Sequence, residues 1–354
     1  MIEREDLRAS VAAGILTEAQ AVSLSALADS RRGARENLAA GDEPFELFKG
    51  FNEVFIVVGL AILAVGWAGL NAVMIGLQFT DVMGAIIVRA LIGAAILWVI
   101  AEYFIRKRRM IAPAIMLTFL FAGNAALGFN AWLAQPFMLL QDDVSSLPLP
   151  LVLTTAAILV FWFRFRVPIA LACVALGLFA AAVVFSAASG SQPETMRDFF
   201  LLSAEGSFAW LTLALGIATF IVAMMFDMSD PHRVTRRAAN GFWLHVIAAP
   251  AIVNTVALSL LSSDTTGDMT LLILFLAVIA LVAIIIDRRS FLITGAGYVV
   301  AVTATLSDSF GAASSILILG IVLLLLGAFW ERIRAVLLNI TAPILPLKRL
   351  PPSV

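Results

Sequence analysis

The sequence predicts an all-α, polytopic membrane helix bundle of about ten transmembrane helices with both termini cytoplasmic. Three observations predict it. Of the 354 residues, 62% are hydrophobic and only 13% charged, about half the roughly 25% charge of a soluble domain, and the mean hydropathy is +1.02. The apolar residues gather into ten runs, each near the roughly 20 residues a helix needs to cross a bilayer. The connections between those runs alternate between basic and nearly free of Lys and Arg. This composition excludes a soluble enzyme, a nucleic-acid binder and a disulfide-stapled module. The single Cys173 lies in an apolar stretch and closes no internal disulfide.

Residues 1–40 read as a cytoplasmic helical hairpin. The first helix runs from Glu3 to Ala13 and is closed by Gly14. Thr17 opens the second, with Gln20 three residues on completing a capping box. Ile15, Leu16, Ala19, Val22 and Leu27 supply one narrow apolar face. The first 52 residues hold six basic against nine acidic side chains, the reverse of what phosphate binding needs, so no nucleic-acid partner is expected. Residues 41–53 alternate Pro44, Phe45, Leu47, Phe48 and Phe51 with Glu43, Glu46, Lys49 and Asn52, a pattern suited to a short amphipathic helix among headgroups.

The ten-helix domain occupies residues 54–330, with runs at about 54–73, 84–105, 110–133, 148–163, 167–187, 207–226, 242–261, 270–287, 291–306 and 314–330. Arg106 to Arg109 follow the second run, Arg164 and Arg166 the fourth, Arg233, Arg236 and Arg237 the sixth, and Arg288 and Arg289 the eighth. With both termini on the same side, 21 of the 23 basic residues share it, leaving Arg197 opposite and Arg89 inside a run. Retention of Lys and Arg during insertion makes that side cytoplasmic. Asp81, Asp142, Asp143, Asp264, Asp268 and Asp308 mark the other face. Residues 331–354 then form a cytoplasmic amphipathic tail, with Ile333, Leu337, Leu338 and Ile340 beside Arg332 and Arg334.

The Gly-Ile-Leu-Thr-Glu-Ala-Gln-Ala stretch at 14–21, a Phe-x-x-x-Phe pair and a Gly-rich first run followed by many short spans together resemble uncharacterised polytopic bacterial inner-membrane proteins. The resemblance covers residues 14–21 and the first span, and elsewhere the general layout. It implies a bacterial cytoplasmic (inner) membrane location and transfers no activity and no functional residue. Arginine over lysine by twenty to three, with abundant alanine, points the same way.

Two segments look alike: Phe161-Trp162-Phe163-Arg164-Phe165-Arg166 and Phe329-Trp330-Glu331-Arg332-Ile333-Arg334. Gly50-Phe51 and Gly241-Phe242 each precede an apolar run. Related halves are one reading, and aromatics followed by Arg at cytoplasmic helix ends are the other. Ten spans with both ends inside also match transporters built from inverted five-helix halves.

Four residues are candidates to line a substrate cavity: Arg89, Asn124, Asn130 and Asn254. An arginine within a span is costly and faces a cavity or a partner. Arg89 lies about 7 Å from the outer helix end, so it either snorkels toward Asp81 or headgroups, joins a polar network, or binds an anion. Asn124 and Asn130 sit among Gly123, Ala125, Ala126 and Gly128, where amides bridge closely packed helices or line a polar path. His245 and Asn254 are nine residues apart and lie on opposite faces, with Pro250 between them able to kink the helix. Glu102 precedes Arg106 by four residues, the favourable order for a helical pair.

No metal site is expected: His232 and His245 lack Cys or His at ligand spacing, and Asp227, Asp230 and His232 read as a solvated loop. No phosphate loop, nucleophile with base, or other catalytic constellation is found, so the chain is not expected to be an enzyme or to bind a cofactor. Gly295-Ala296-Gly297 reads as helix packing. The expected partners are membrane lipids, including anionic headgroups at 106–109 and 233–237, a small-molecule substrate, and a cytoplasmic protein met by the hairpin. Function narrows to a non-ATP-driven transporter or permease for a small or amphipathic solute, or to a scaffold or sensor.

Overall fold

A computed structural model describes residues 4–36, 52–77, 81–136, 143–190, 195, 198–202, 207–233, 235–262, 266–306, 317, 320–322, 324–343 and 349–352. Every regular element among these is helical. Helices α1 (Arg4–Ala12) and α2 (Glu18–Glu36) form a hairpin. Gly14 takes φ +69° at its turn. Thr17 and Gln20 exchange backbone-to-side-chain hydrogen bonds of 3.0 and 3.3 Å, the reciprocal geometry of a capping box.

Among the described residues eight helices are long and apolar enough to cross a membrane: α3 (Asn52–Gly76), α4 (Val82–Ala101, continued by a π turn Glu102–Lys107), α5 (Ile111–Leu133), α6 (Pro148–Phe165), α7 (Pro168–Ala188), α8 (Phe208–Ser229), α9 (Arg236–Leu261) and α10 (Thr266–Ile285). The protein is an all-α, multi-pass membrane bundle. The ninth expected run is the 17-residue α11 (Ser290–Leu306). Of the tenth, 314–330, residues 317, 320–322 and 324–328 are helical, while 314–316, 318–319 and 323 lie outside the described residues, as does the segment 41–53 apart from Asn52 and Glu53. Helix α12 (Trp330–Thr341) closes the chain.

Two cores hold the bundle. In one, α3 to α7 pack around an aromatic cluster in which Trp98, Phe121, Phe161 and Phe165 meet at centroid distances of 4.5–6.1 Å. The other joins α8 to α11 through Ala249, Val253, Ala257, Leu272, Ala283 and Phe291. Helix α9 links them, touching α7, α8, α10 and α11. Most buried threonines donate to the carbonyl four residues back in their own helices, as Thr118, Thr155, Thr212 and Thr255 do. That leaves few polar groups facing lipid.

The basic connections share one face. Arg164 in the last turn of α6 pairs with Glu102 at 2.7 Å, and Glu102 also meets Arg106 at 3.4 Å. Arg236 at the start of α9 donates to the Phe165 carbonyl at 3.3 Å. Each of the four connections after α4, α6, α8 and α10 turns through a left-handed residue: Arg109, Arg166, Arg233 and Asp287, with φ of 52–56°. A glycine usually fills such a helix-ending position. Three arginines here place positive charge where the helix dipoles end negatively, and Arg166 also stacks over Trp162 at 4.6 Å.

Gly241-Phe242 lies inside α9 rather than before it. The first Phe-Trp segment ends α6, and the second stands where helical residues 324–328 stop and α12 begins. The aromatic-and-arginine pattern marks a helix end in both places.

Candidate functional site: a buried ion cluster at the basic face

Asp227 lies two residues from the end of α8, 5% exposed, inside a helix rather than in a solvated loop. The apolar run expected at 207–226 stops one residue short of it, yet the helix continues. A close approach makes room for the carboxylate. A Cβ on Gly241 of α9 would stand 2.1 Å from Asp227 Oδ1 and 3.2 Å from the Ala223 carbonyl, so only glycine lets the two helices enclose this acid.

Arg288 closes the cluster from the connection between α10 and α11. Its Nε donates to Asp227 Oδ2 at 2.9 Å and its Nη2 to Oδ1, a bidentate pair, while Nη2 also donates to the Ala238 carbonyl at 2.9 Å. His245, one turn beyond Gly241 and fully buried, places Nε2 3.0 Å from Asp227 Oδ2. Its ring stands edge-on to Phe220 and Phe291, with centroids 5.4 and 5.8 Å away. Its Nδ1 is buried without a hydrogen-bond partner among the described residues.

A second layer braces the first. Arg233 donates to Asp287 Oδ2 at 2.7 Å and to the carbonyls of Asp287 and Ile286 at 2.9 and 3.2 Å. Trp330 Nε1 donates to Asp287 Oδ1 at 2.7 Å. Burial first, and then the charge of Arg288, pulls the Arg233 guanidinium below its ordinary pKa, with Asp287 and Asp227 pushing the other way. Asp230, also 5% exposed, accepts from the Thr235 amide and hydroxyl, both at 2.8 Å, and Thr235 in turn caps α9.

These contacts correct two expectations. The basic residues at 233–237 are not all turned to headgroups: Arg236 is 7% exposed, whereas Arg106 to Arg109 do face outward. In the tail, Arg334 is 1% exposed and donates to the carbonyls of Ile285, Pro351 and Pro352. It ties the chain end to α10 instead of reaching for lipid.

The four expected cavity residues are not drawn together. Asn124 on α5 donates to the Ala90 carbonyl of α4 at 2.8 Å, and Gly93 leaves space for its carbonyl oxygen. It lines two apolar clefts. One, of about 380 Å³, lies among Leu63, Trp67, Leu70, Gly93 and Leu97; the other, of about 500 Å³, lies among Ile87, Ala90, Phe121, Phe129 and Trp132. Asn130 donates to the Ala126 carbonyl of its own helix at 2.7 Å. Asn254 is on α9 in the other core, where its backbone carbonyl stands 3.5 Å from the Tyr298 hydroxyl. Arg89 is half-buried and lines neither cleft; its Nη1 is buried without a partner among the described residues. Asp81, toward which it was expected to reach, accepts the Gly84 amide at 2.9 Å as the cap of α4.

Sequence reading missed Asp227, Arg288 and Glu53. Glu53, 1% exposed at the start of α3, accepts the Ala112 amide at 3.2 Å and caps α5 from another helix. A usable signal existed for the first two: a lone acid ending one apolar run and an arginine ending another two helices on. Among the described residues no group of three or more His, Cys, Asp or Glu side chains is arranged to hold a metal. Comparison with family models, curated proteins and solved structures finds no match to this chain.

Proposed function

We propose that the protein is a non-ATP-driven transporter or permease for a small or amphipathic solute. In this reading it sits in a bacterial cytoplasmic membrane with its basic face and both ends in the cytoplasm. The observation that carries it is Asn124, a single amide at the wall of two apolar clefts of about 380 and 500 Å³. Those volumes lie within the roughly 300–1,000 Å³ of small-molecule sites. Apolar walls with few hydrogen-bonding groups, Asn124 in both clefts and the Trp67 indole in the first, suit a solute that is mostly hydrocarbon with a polar handle. The exposed arginines at 106–109 suit anionic headgroups.

The test is a thermal-shift panel of alkyl alcohols, amides and amines on the purified protein, followed by flux in liposomes for any binder. Asn124→Leu abolishes the shift while the helical content is kept. A panel that shifts both proteins equally removes Asn124 from solute binding.

The scaffold reading rests on a different feature. Ile15, Val22 and Leu27 are 74%, 68% and 49% exposed on the hairpin, which suits a cytoplasmic protein partner. Crosslinking that recovers the same protein with and without residues 1–40 counts against it.

A further inference from the structure

One carboxylate joins three helical elements. Asp227 belongs to α8, His245 to α9 and Arg288 to the α10–α11 connection, so the cluster fastens the α10–α11 pair onto the α8–α9 pair at the basic face. With Nε2 3.0 Å from Asp227 Oδ2, that nitrogen carries the ring hydrogen and Nδ1 holds a lone pair. Nδ1 is buried and has no hydrogen-bond partner among the described residues. In this state the charges balance: one carboxylate, one guanidinium and a neutral ring.

The groups facing His245 decide what a proton on Nδ1 would do. From α8 come Asp227 and Phe220, from the α8–α9 connection Arg233, from the α10–α11 connection Arg288, and from α11 Phe291. Asp287 already holds Arg233. Both arginines therefore oppose a second cation, and a single carboxylate is left to serve two. Packing alone does not explain the arrangement, because apolar residues of similar volume commonly hold helices together as well as a buried ion pair or better.

We propose that His245 is a proton-binding site that competes with Arg288 for Asp227, so that proton uptake unfastens α10–α11 from α8–α9 at the basic face. The proton comes from water and bonds to Nδ1; the Nε2–H···Oδ2 contact stays, the two Arg288 contacts to Asp227 break, and Arg288 swings toward the exposed Arg289 side of its connection. The Arg288 contact to the Ala238 carbonyl is given up with them, and water takes its place on the guanidinium. The unfastened form binds the proton more tightly, so acid favours it by linkage, with a limiting slope of about tenfold per pH unit for one proton. This inference stands apart from the solute site at Asn124.

The test uses the full chain in lipid nanodiscs. The sequence contains two histidines, so His232→Gln leaves His245 as the one imidazole seen by nitrogen-15 histidine spectroscopy. Between about pH 8 and pH 5, the Nδ1 resonance is expected to pass from lone-pair to protonated. Over the same interval, amide exchange in residues 283–291, corrected for its intrinsic pH dependence, rises up to about tenfold per pH unit. His245→Gln keeps an N–H for Asp227 and makes that exchange independent of pH. The proposal is overturned if His245 stays neutral throughout, if it protonates while residues 283–291 stay equally protected, or if His245→Gln keeps the wild-type pH profile. Should His245→Gln fail to fold, the paired spectroscopic and exchange measurements on the His232→Gln protein decide alone.

Discussion

Removing the carboxylate of Asp227 strands a buried cation. In Asp227→Ala, Arg288, only 6% exposed, keeps the Ala238 carbonyl but loses its carboxylate, and His245 loses its partner. Taking one partner from a buried pair costs about 3–5 kcal/mol, because the survivor keeps its desolvation without compensation. For a chain of this size that lowers the melting temperature by on the order of 5–10 °C. Replacing both partners with apolar residues, Asp227→Leu with Arg288→Met, removes the stranded charge. The double variant is therefore expected to melt well above Asp227→Ala and within a few degrees of wild type. The assay is a thermal melt of each purified variant in one detergent, read as a double-mutant cycle. If Asp227→Ala melts with wild type, or if Asp227→Leu and Arg288→Met lower stability additively, the cluster does not act as a unit and the reasoning fails.

Three other substitutions probe neighbouring parts of the structure. Gly241→Ala places a Cβ 2.1 Å from Asp227 Oδ1 and so must push the carboxylate off Arg288; a cost of about 1–3 kcal/mol is expected, and a melt unchanged from wild type contradicts that close approach. Glu53→Ala uncaps the Ala112 amide and takes a negative charge from the start of α5, costing about 1 kcal/mol; Glu53→Gln, which keeps an acceptor, should recover part of it in the same melt. Thr17→Ala breaks the capping box, and the amides of residues 18–21 should exchange several-fold faster while those of α9 do not change.

The fold was readable because its two strongest signals are long-range averages. Apolar runs and alternating basic connections sum over many residues, so single exceptions do not blur them. The capping box at Thr17 was readable for the opposite reason, since both partners lie within one turn. The buried cluster falls between these scales. Asp227, Gly241, His245 and Arg288 span 61 residues, and each alone has an ordinary explanation: a helix-end acid, a packing glycine, a polar helix residue, a basic connection.

The same rule that groups the basic connections on one face hid the cluster. Counting arginines by connection assigns them to a side of the membrane but says nothing of which way a side chain turns once the helix has ended. Here the left-handed turns at Arg233 and Asp287 bring the chain back over the helix ends, and Arg233, Arg236, Arg288 and Arg334 spend their charge on carboxylates and carbonyls within the protein. An arginine-rich connection can thus orient a helix during insertion and afterwards close its end. Where such a connection follows a span that ends in a lone acid, a buried ion pair is a reasonable expectation from sequence. Asp227 beside Arg288 is the case this chain supplies.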